Sequence, residues 1–155
     1  MKKGFYTALS IALVAIWSLY SGLALSAELP RNSPQAGNRT YAQNYKDMVL
    51  ATCIANAYSK EKDAATDAGS SVSALRDWTY YDLEKSPDAV KALIDKYLAR
   101  DYYNPLVESE VKGVKFDLLK CFDLYHSREL NVLTKRMVIN PNRTWRQEHQ
   151  TSRDR

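Results

Sequence analysis

The two cysteines of this chain each fall on the apolar face of a predicted helix. Cys121 lies within residues 114–126 and Cys53 within residues 41–58, where apolar side chains recur three and four positions apart, the spacing of one helix face. Two such cysteines favour one internal disulfide where the chain is exported to an oxidising compartment, which the N-terminus described below indicates. The pair therefore predicts a disulfide that fastens the first helix to the later one. An intermolecular bridge and a catalytic thiol are the alternatives.

Residues 114–126 predict the central helix of a bundle. One face carries four apolar residues: Leu118, Cys121, Phe122 and Tyr125. Two further leucines widen that face, so that only three charged residues look solvated: Asp117, Lys120 and Asp123. A helix that is apolar over most of its circumference is expected to have neighbours on several sides.

The N-terminus has the layout of a secretory signal peptide. A short cationic start at Lys2 and Lys3 precedes an apolar stretch over residues 5–24, and small residues suited to cleavage follow up to Ala27. An uncleaved membrane anchor is the alternative, because the stretch is nearly long enough to span a bilayer. Serines and a glycine dilute the stretch and favour cleavage. Cleavage would remove the two lysines and lower the formal net charge from +4 to +2. A positive charge this small is only weak evidence for a nucleic-acid partner.

The rest of the chain predicts an all-α fold, a small bundle of four to five helices with one disulfide. Thr40 is placed to cap the first helix, and Ser86, Pro87 and Asp88 form a strong start signal for the third. The helices are expected over residues 41–58, 64–83, 87–100 and 114–126. A short continuation to about Ile139 follows, and Ser127 is placed to cap it. The organisation follows: a signal peptide over residues 1–27, a flexible lead-in over 28–39, a helical domain over 40–140 and a basic tail over 141–155.

Residues that carry catalytic or metal chemistry are few. His149 lies in a polar tail expected to be disordered, and no ligand-type residues stand at zinc or EF-hand spacing. A thiol–imidazole pair of Cys53 with His126 is conceivable in three dimensions, but the two cysteines match each other better as bridge partners. We therefore expect no catalytic residue, no metal and no cofactor. A binding protein is favoured, and an enzyme ranks last.

Residues 101–113, here called the 101–113 loop, interrupt the helical pattern between two secure helices. Exposed tyrosines beside carboxylates are typical of a recognition surface. The alternative is a plain connector whose tyrosines fold back onto the core. The candidate binding residues are Tyr102, Tyr103, Asn104, Pro105, Leu106, Val107, Glu108, Ser109 and Glu110.

Two long stretches carry a family resemblance. Residues 40–58 (TYAQNYKDMVLATCIANAY) and 115–130 (KFDLLKCFDLYHSREL) are similar to helices of the immunity proteins paired with type VI secretion amidase effectors. Residues 67–71 and Trp78-Thr79 also fit, so the resemblance covers most of the chain that follows the signal peptide.

The resemblance implies a periplasmic, all-α, usually homodimeric protein without membrane attachment once its signal is cleaved. Such a protein binds and blocks a cell-wall amidase of the fourth type VI family, a papain-like Cys/His peptidase that cleaves the peptide stems of peptidoglycan. In the family, a protruding loop plugs the catalytic groove and a helix of the partner subunit supports the contact. The 101–113 loop is the candidate here, and the turn over residues 80–86 is the second choice. A periplasmic adaptor or chaperone-like binding protein without amidase specificity is the alternative function.

Overall fold

The computed structural model describes residues 33–150, so the signal peptide expected over residues 1–27 lies outside the described part. Within that part, a 3-10 helix (Gln35–Asn38) precedes seven α-helices, and no strand is present beyond two isolated bridges. No helix among these residues is long and apolar enough to cross a bilayer. The predicted all-α class with one disulfide is confirmed. The helices are α1 (Tyr41–Ala57), α2 (Lys62–Arg76), α3 (Ser86–Leu98), α4 (Pro105–Glu110), α5 (Asp117–His126), α6 (Arg128–Met137) and α7 (Trp145–Gln150).

Helix α1 is the element against which α2, α3, α5 and α6 pack. Thr40 caps it as predicted. The threonine hydroxyl accepts a hydrogen bond from the backbone N–H of Gln43, and the Gln43 side chain accepts one from the backbone N–H of Thr40. The apolar stripe predicted for this helix is buried and ends at Cys53. The start and the face of α1 are therefore both specified locally.

The disulfide between Cys53 and Cys121 joins α1 to α5 in the middle of the core. The two Cα atoms are 5.7 Å apart, and both cysteines are completely buried. This confirms the predicted internal bridge. Because both sulfurs are consumed in it, the thiol–imidazole pair of Cys53 with His126 is excluded.

Helix α2 ends at Arg76, well before the predicted end at residue 83. The chain beyond it turns and pairs Tyr81 with Val138, next to the end of α6, which is incompatible with a continuing helix. The sequence predicts that five residues three and four positions apart share the packing face of this helix. These are among its less exposed residues: Ala65, Ala68, Val72, Leu75 and, just beyond its end, Thr79.

The start of α3 differs from the prediction in its cap. The Ser86 hydroxyl is buried and pairs with the Tyr45 hydroxyl at 2.6 Å, so it does not cap the helix. The Asp82 carboxylate instead accepts hydrogen bonds from the backbone N–H groups of Lys85 and Glu84, at 2.9 and 3.0 Å. The hydrogen bond from the Lys85 N–H is the main cause that lowers the pKa of this carboxyl.

Helix α5 begins at Asp117, three residues later than predicted, and it is not surrounded. Cys121 and Leu124 are buried against α1 and α3. Leu118, Leu119 and Phe122 are exposed, because no other helix of the described part covers that side. The prediction of neighbours on several sides is therefore wrong for this face.

Both ends of the described part pack onto the domain. Ala36 of the 3-10 helix is buried, so residues 35–38 of the expected flexible lead-in are structured. In the tail expected to be disordered, α7 is helical and Thr144 pairs with Thr40. The Tyr41 hydroxyl donates a hydrogen bond to the Glu148 carboxylate at 2.8 Å, which ties α7 to the start of α1.

Candidate functional site

The 101–113 loop is not irregular throughout, because residues 105–110 form the short helix α4. The Asn104 side chain accepts hydrogen bonds from the backbone N–H groups of Leu106 and Val107, and Pro105 takes the first helical position. In the sequence, the Asn104-Pro105 pair predicts a break in helical structure. It does disfavour helix at Asn104, which is extended, but the same pair starts a helix at the next residue.

Two large apolar side chains of the loop stand out into solvent. Leu106 is 80% exposed and Tyr103 is 74% exposed, and Val111 is also exposed. Leaving apolar groups in water forgoes about 25 cal/mol for each Å². Neighbouring exposed apolar residues of this kind are typical of surfaces that bind a partner.

Tyr102 has a different position from its neighbour. It is only partly exposed, and its hydroxyl donates a hydrogen bond to the Asp123 carboxylate of α5. The Arg100 guanidinium also donates to this hydroxyl at 3.4 Å, which is the main cause of a raised Arg100 pKa. Of the two tyrosines predicted for recognition, Tyr103 faces solvent and Tyr102 belongs to the base of the loop.

The charged residues of the loop give it a negative balance. It carries three acidic residues and one lysine: Asp101, Glu108, Glu110 and Lys112. Glu110 is exposed and Glu108 is half-buried, as is Val107 beside it. The loop therefore presents an apolar pair at Tyr103 and Leu106 with carboxylates nearby.

An apolar hollow lies beside the loop, on the uncovered face of α5. Its volume is about 480 Å³. The lining combines residues of α5 with residues from outside it, and two of them are charged: Asp117, Leu118, Leu119, Phe122, Tyr58, Val114, Lys115 and Phe116. A second hollow of about 310 Å³ lies between Leu119, Phe116 and residues 101–104 at the base of the loop. The α5 face and the loop base are therefore adjacent.

The second-choice turn, residues 80–86, is also partly open to solvent. Leu83 is 65% exposed, and Tyr80 is exposed as well. The remainder is tied down, since Tyr81 packs its ring against that of Tyr45 and the Asp82 carboxylate is engaged by backbone N–H groups. Besides Tyr80, this turn exposes one large apolar side chain, that of Leu83, and it contains no helix comparable to α4.

Sequence reasoning missed the residues that support the loop. Lys120 looked solvated in the sequence but is buried, and its ammonium group donates hydrogen bonds to the Leu98 carbonyl and the Asp117 carboxylate, one on each side of the loop. A lysine three residues from Asp117 on a helix is usually a surface ion pair. Nothing in the sequence distinguishes this one, because its burial depends on where α3 ends. Among residues 33–150, no group of three or more His, Cys, Asp or Glu residues is placed to hold a metal ion.

Comparisons with known proteins agree with this architecture. A family model described as "Type VI secretion system (T6SS), amidase immunity protein" matches residues 43–134. A solved structure from work on new Type VI-secreted toxins and self-resistance proteins in Serratia marcescens is 29% identical, with a TM-score of 0.69. That similarity covers 81% of this chain and 98% of the other.

A chain from the effector–immunity system Tae4/Tai4 of Salmonella typhimurium is 25% identical, with a TM-score of 0.59. Here the similarity covers 68% of this chain and 96% of the other. A search of curated protein sequences finds no match. The family match spans more than half of the chain and includes both cysteines of the disulfide. This chain belongs to the amidase immunity protein family of the type VI secretion system.

Proposed function

We propose that this protein protects the cell that makes it by inhibiting a type VI-secreted peptidoglycan amidase, and that the 101–113 loop enters the catalytic groove of that enzyme. Family membership supplies the amidase as the partner and implies an inhibitor rather than an enzyme. The observation that carries the loop assignment is the exposure of Leu106 and Tyr103 on and beside a short capped helix.

The chemistry of the loop suits a plug. Blocking a groove requires shape and the exclusion of substrate, and it needs no catalytic group on the inhibitor. Leu106 supplies an apolar anchor, and Tyr103 supplies a large contact area with few rotatable bonds. Glu108 and Glu110 suit a cationic groove wall, since complementary charge accelerates encounter and fixes orientation. Asn104 and Pro105 reduce the flexibility of the helix that carries the anchor, which lowers the entropy lost on binding.

The proposed site of action is the periplasm, where peptidoglycan amidases find their substrate. Residues 1–27 supply the proposed export signal. The internal disulfide agrees with an oxidising compartment.

The functional unit in this proposal is a homodimer, joined through the uncovered face of α5. Leu118, Leu119 and Phe122 are each at least 40% exposed there, around the hollow of about 480 Å³. A contiguous apolar face of this kind is costly to leave in water and is typical of an interface. Its position next to the loop base would bring a partner subunit close to the bound amidase, with room for a supporting contact.

The direct test is inhibition of the purified amidase by variants that each place one carboxylate on an exposed apolar position. Leu106→Asp changes the loop, Leu83→Asp changes the second-choice turn, and Val132→Asp is a matched control on α6. We expect Leu106→Asp to raise the concentration for half-inhibition at least ~30-fold, as for loss of an interface hot spot. The other two are expected to stay within about twofold of the original.

If Leu83→Asp loses inhibition while Leu106→Asp still inhibits as well as the original protein, the contact with the amidase lies in the 80–86 turn. Absence of inhibition by the unmodified protein, together with weak binding to many unfolded proteins, would favour the adaptor function.

A further inference from the structure

The most unusual charged group among the described residues is the Lys120 ammonium. Its side chain is only 6% exposed. Burial of an ammonium group is costly unless it is paired and hydrogen-bonded. Lys120 meets that condition: its Nζ donates to the Asp117 carboxylate at 2.9 Å and to the Leu98 backbone carbonyl at 3.2 Å. The Tyr102 ring lies 5.9 Å away, within the range of a cation–π interaction.

These partners stand on either side of the 101–113 loop. Leu98 is the last residue of α3, before the loop begins, and Asp117 is the first residue of α5, after the loop has returned. The carbonyl groups at a helix end lack partners within the helix, so the ammonium satisfies one of them. One buried charge therefore holds both roots of the loop together.

A second set of contacts fixes Tyr102, at the start of the loop, to α5 and to the end of α3. The Tyr102 hydroxyl donates to Asp123, and the Arg100 guanidinium stacks over the Tyr97 ring at 3.5 Å while it donates to Tyr102. Beyond Tyr102, the hydrogen bonds of the loop within residues 33–150 stay inside the loop and mostly involve Asn104. The orientation of α4 therefore depends on how firmly its base is held.

We propose that Lys120 is a positioning residue, which holds the 101–113 loop in the orientation that binds the amidase without touching the amidase itself. This inference rests on the proposed function of the loop. When Lys120 is removed, the ends of α3 and α5 lose their common partner. The loop then samples other orientations, and α4 opens more often because so short a helix is marginal without a fixed base. If the binding-competent fraction falls to about a tenth, the apparent affinity falls ~10-fold, because affinity scales with that fraction.

The test compares Lys120→Met, which keeps the length and loses the charge, with Lys120→Arg, which keeps the charge. Thr134→Val is a control for general destabilisation, since the Thr134 hydroxyl makes a buried hydrogen bond to the Leu130 carbonyl within α6, away from the loop. The first readout is millisecond hydrogen exchange of the loop amides in the free protein, with unfolding midpoints recorded in parallel. The second readout is the association rate with the amidase.

We expect Lys120→Met to raise exchange at Glu108 and Val111, two loop amides whose backbone hydrogen bonds stay inside the loop, about 10-fold relative to α1 amides. The association rate should fall by a similar factor, and Lys120→Arg should retain most of both. Thr134→Val should lower the unfolding midpoint with no change in loop exchange. Where Lys120→Met does not fold, Tyr102→Phe removes the bond to Asp123 and is expected to change exchange and association in the same direction.

Unchanged loop exchange in Lys120→Met would overturn the inference, whatever the association rate with the amidase. The same holds for Tyr102→Phe if Lys120→Met does not fold. Raised exchange with an unaltered association rate would also overturn it, since the loop orientation would then be irrelevant to binding. Failure of the unmodified protein to bind the amidase would refute the proposed function instead. That outcome is separate, because loop exchange is measured without the amidase.

Discussion

Cys53 and Cys121 are joined across the core, so α1 and α5 are covalently linked at a point where both are completely buried. The two cysteines are separated by 68 residues, which include α2, α3 and the whole 101–113 loop. The disulfide therefore holds the helices that carry the loop together in the core, and the hydrogen bonds of Lys120 link the ends of α3 and α5 on either side of the loop.

The disulfide is expected to contribute a large share of the stability. Replacement of both cysteines by alanine should lower the free energy of unfolding by ~4 kcal/mol, chiefly because the unfolded chain is no longer constrained over 68 residues. Urea denaturation of the variant and of the oxidised protein measures this difference. A loss below about 1 kcal/mol would mean that packing alone holds α1 to α5.

Buried tyrosines predict a loss of stability at alkaline pH. Burial raises the pKa of both Tyr41 and Tyr45 above the ordinary value of 10.0, so above that pH the unfolded chain loses protons that the folded protein keeps. The free energy of unfolding then falls as pH rises, by up to ~1.4 kcal/mol per pH unit for each group, until the pH reaches the folded pKa. Tyr41→Phe and Tyr45→Phe should each flatten this decline between about pH 10 and 11. Identical slopes for the variants and the original protein would contradict the assignment.

Ser127 links two helices and should be sensitive to truncation. Its hydroxyl accepts a hydrogen bond from the Leu130 N–H at 3.0 Å, which caps α6 directly after the end of α5. Ser127→Ala should destabilise the protein by ~1 kcal/mol, the usual value of a serine cap. Ser73→Ala is the matched control, because Ser73 lies mid-helix and exposed on α2, where alanine is favoured. Equal midpoints for the two variants would show that the cap is not needed.

The apolar face of α5 predicts self-association. Phe122→Glu places a carboxylate at the edge of the hollow of about 480 Å³ and should convert the proposed dimer to a monomer. Sedimentation equilibrium measures the change, and Ile139→Glu, at an exposed position beyond α6, is the control. A dimer that persists in Phe122→Glu would place the subunit contact elsewhere. A monomeric original protein would refute the proposed homodimer.

The sequence was sufficient for the parts of the fold that depend on local signals. Thr40 caps α1 and Ser127 caps α6 as predicted, and the apolar stripe that ends at Cys53 is buried. These features follow from neighbours three and four positions away, which the sequence displays directly. The disulfide was predictable for a related reason, because both cysteines lie on buried stripes and no third cysteine competes.

The predictions that were wrong concern features that depend on the tertiary arrangement. Lys120 is buried because α3 happens to end over it, and Phe122 is exposed because nothing among the described residues covers that side of α5. Ser86 has the sequence of a cap, but its hydroxyl is taken by Tyr45 from another helix. The sequence indicated the position of the candidate loop, yet the difference in exposure between Tyr102 and Tyr103 required the contact with Asp123.

Survival of cells that direct the cognate amidase to their own periplasm tests the central claim most directly. Three strains are compared: one with the whole chain, one with a chain that begins after residue 27, and one with neither. We predict survival only with the whole chain, because inhibition must occur where peptidoglycan is exposed to the enzyme. Death of the strain with the whole chain, with the protein verified in the periplasm and folded, would contradict an immunity function. Survival with the shortened chain would refute the requirement for export.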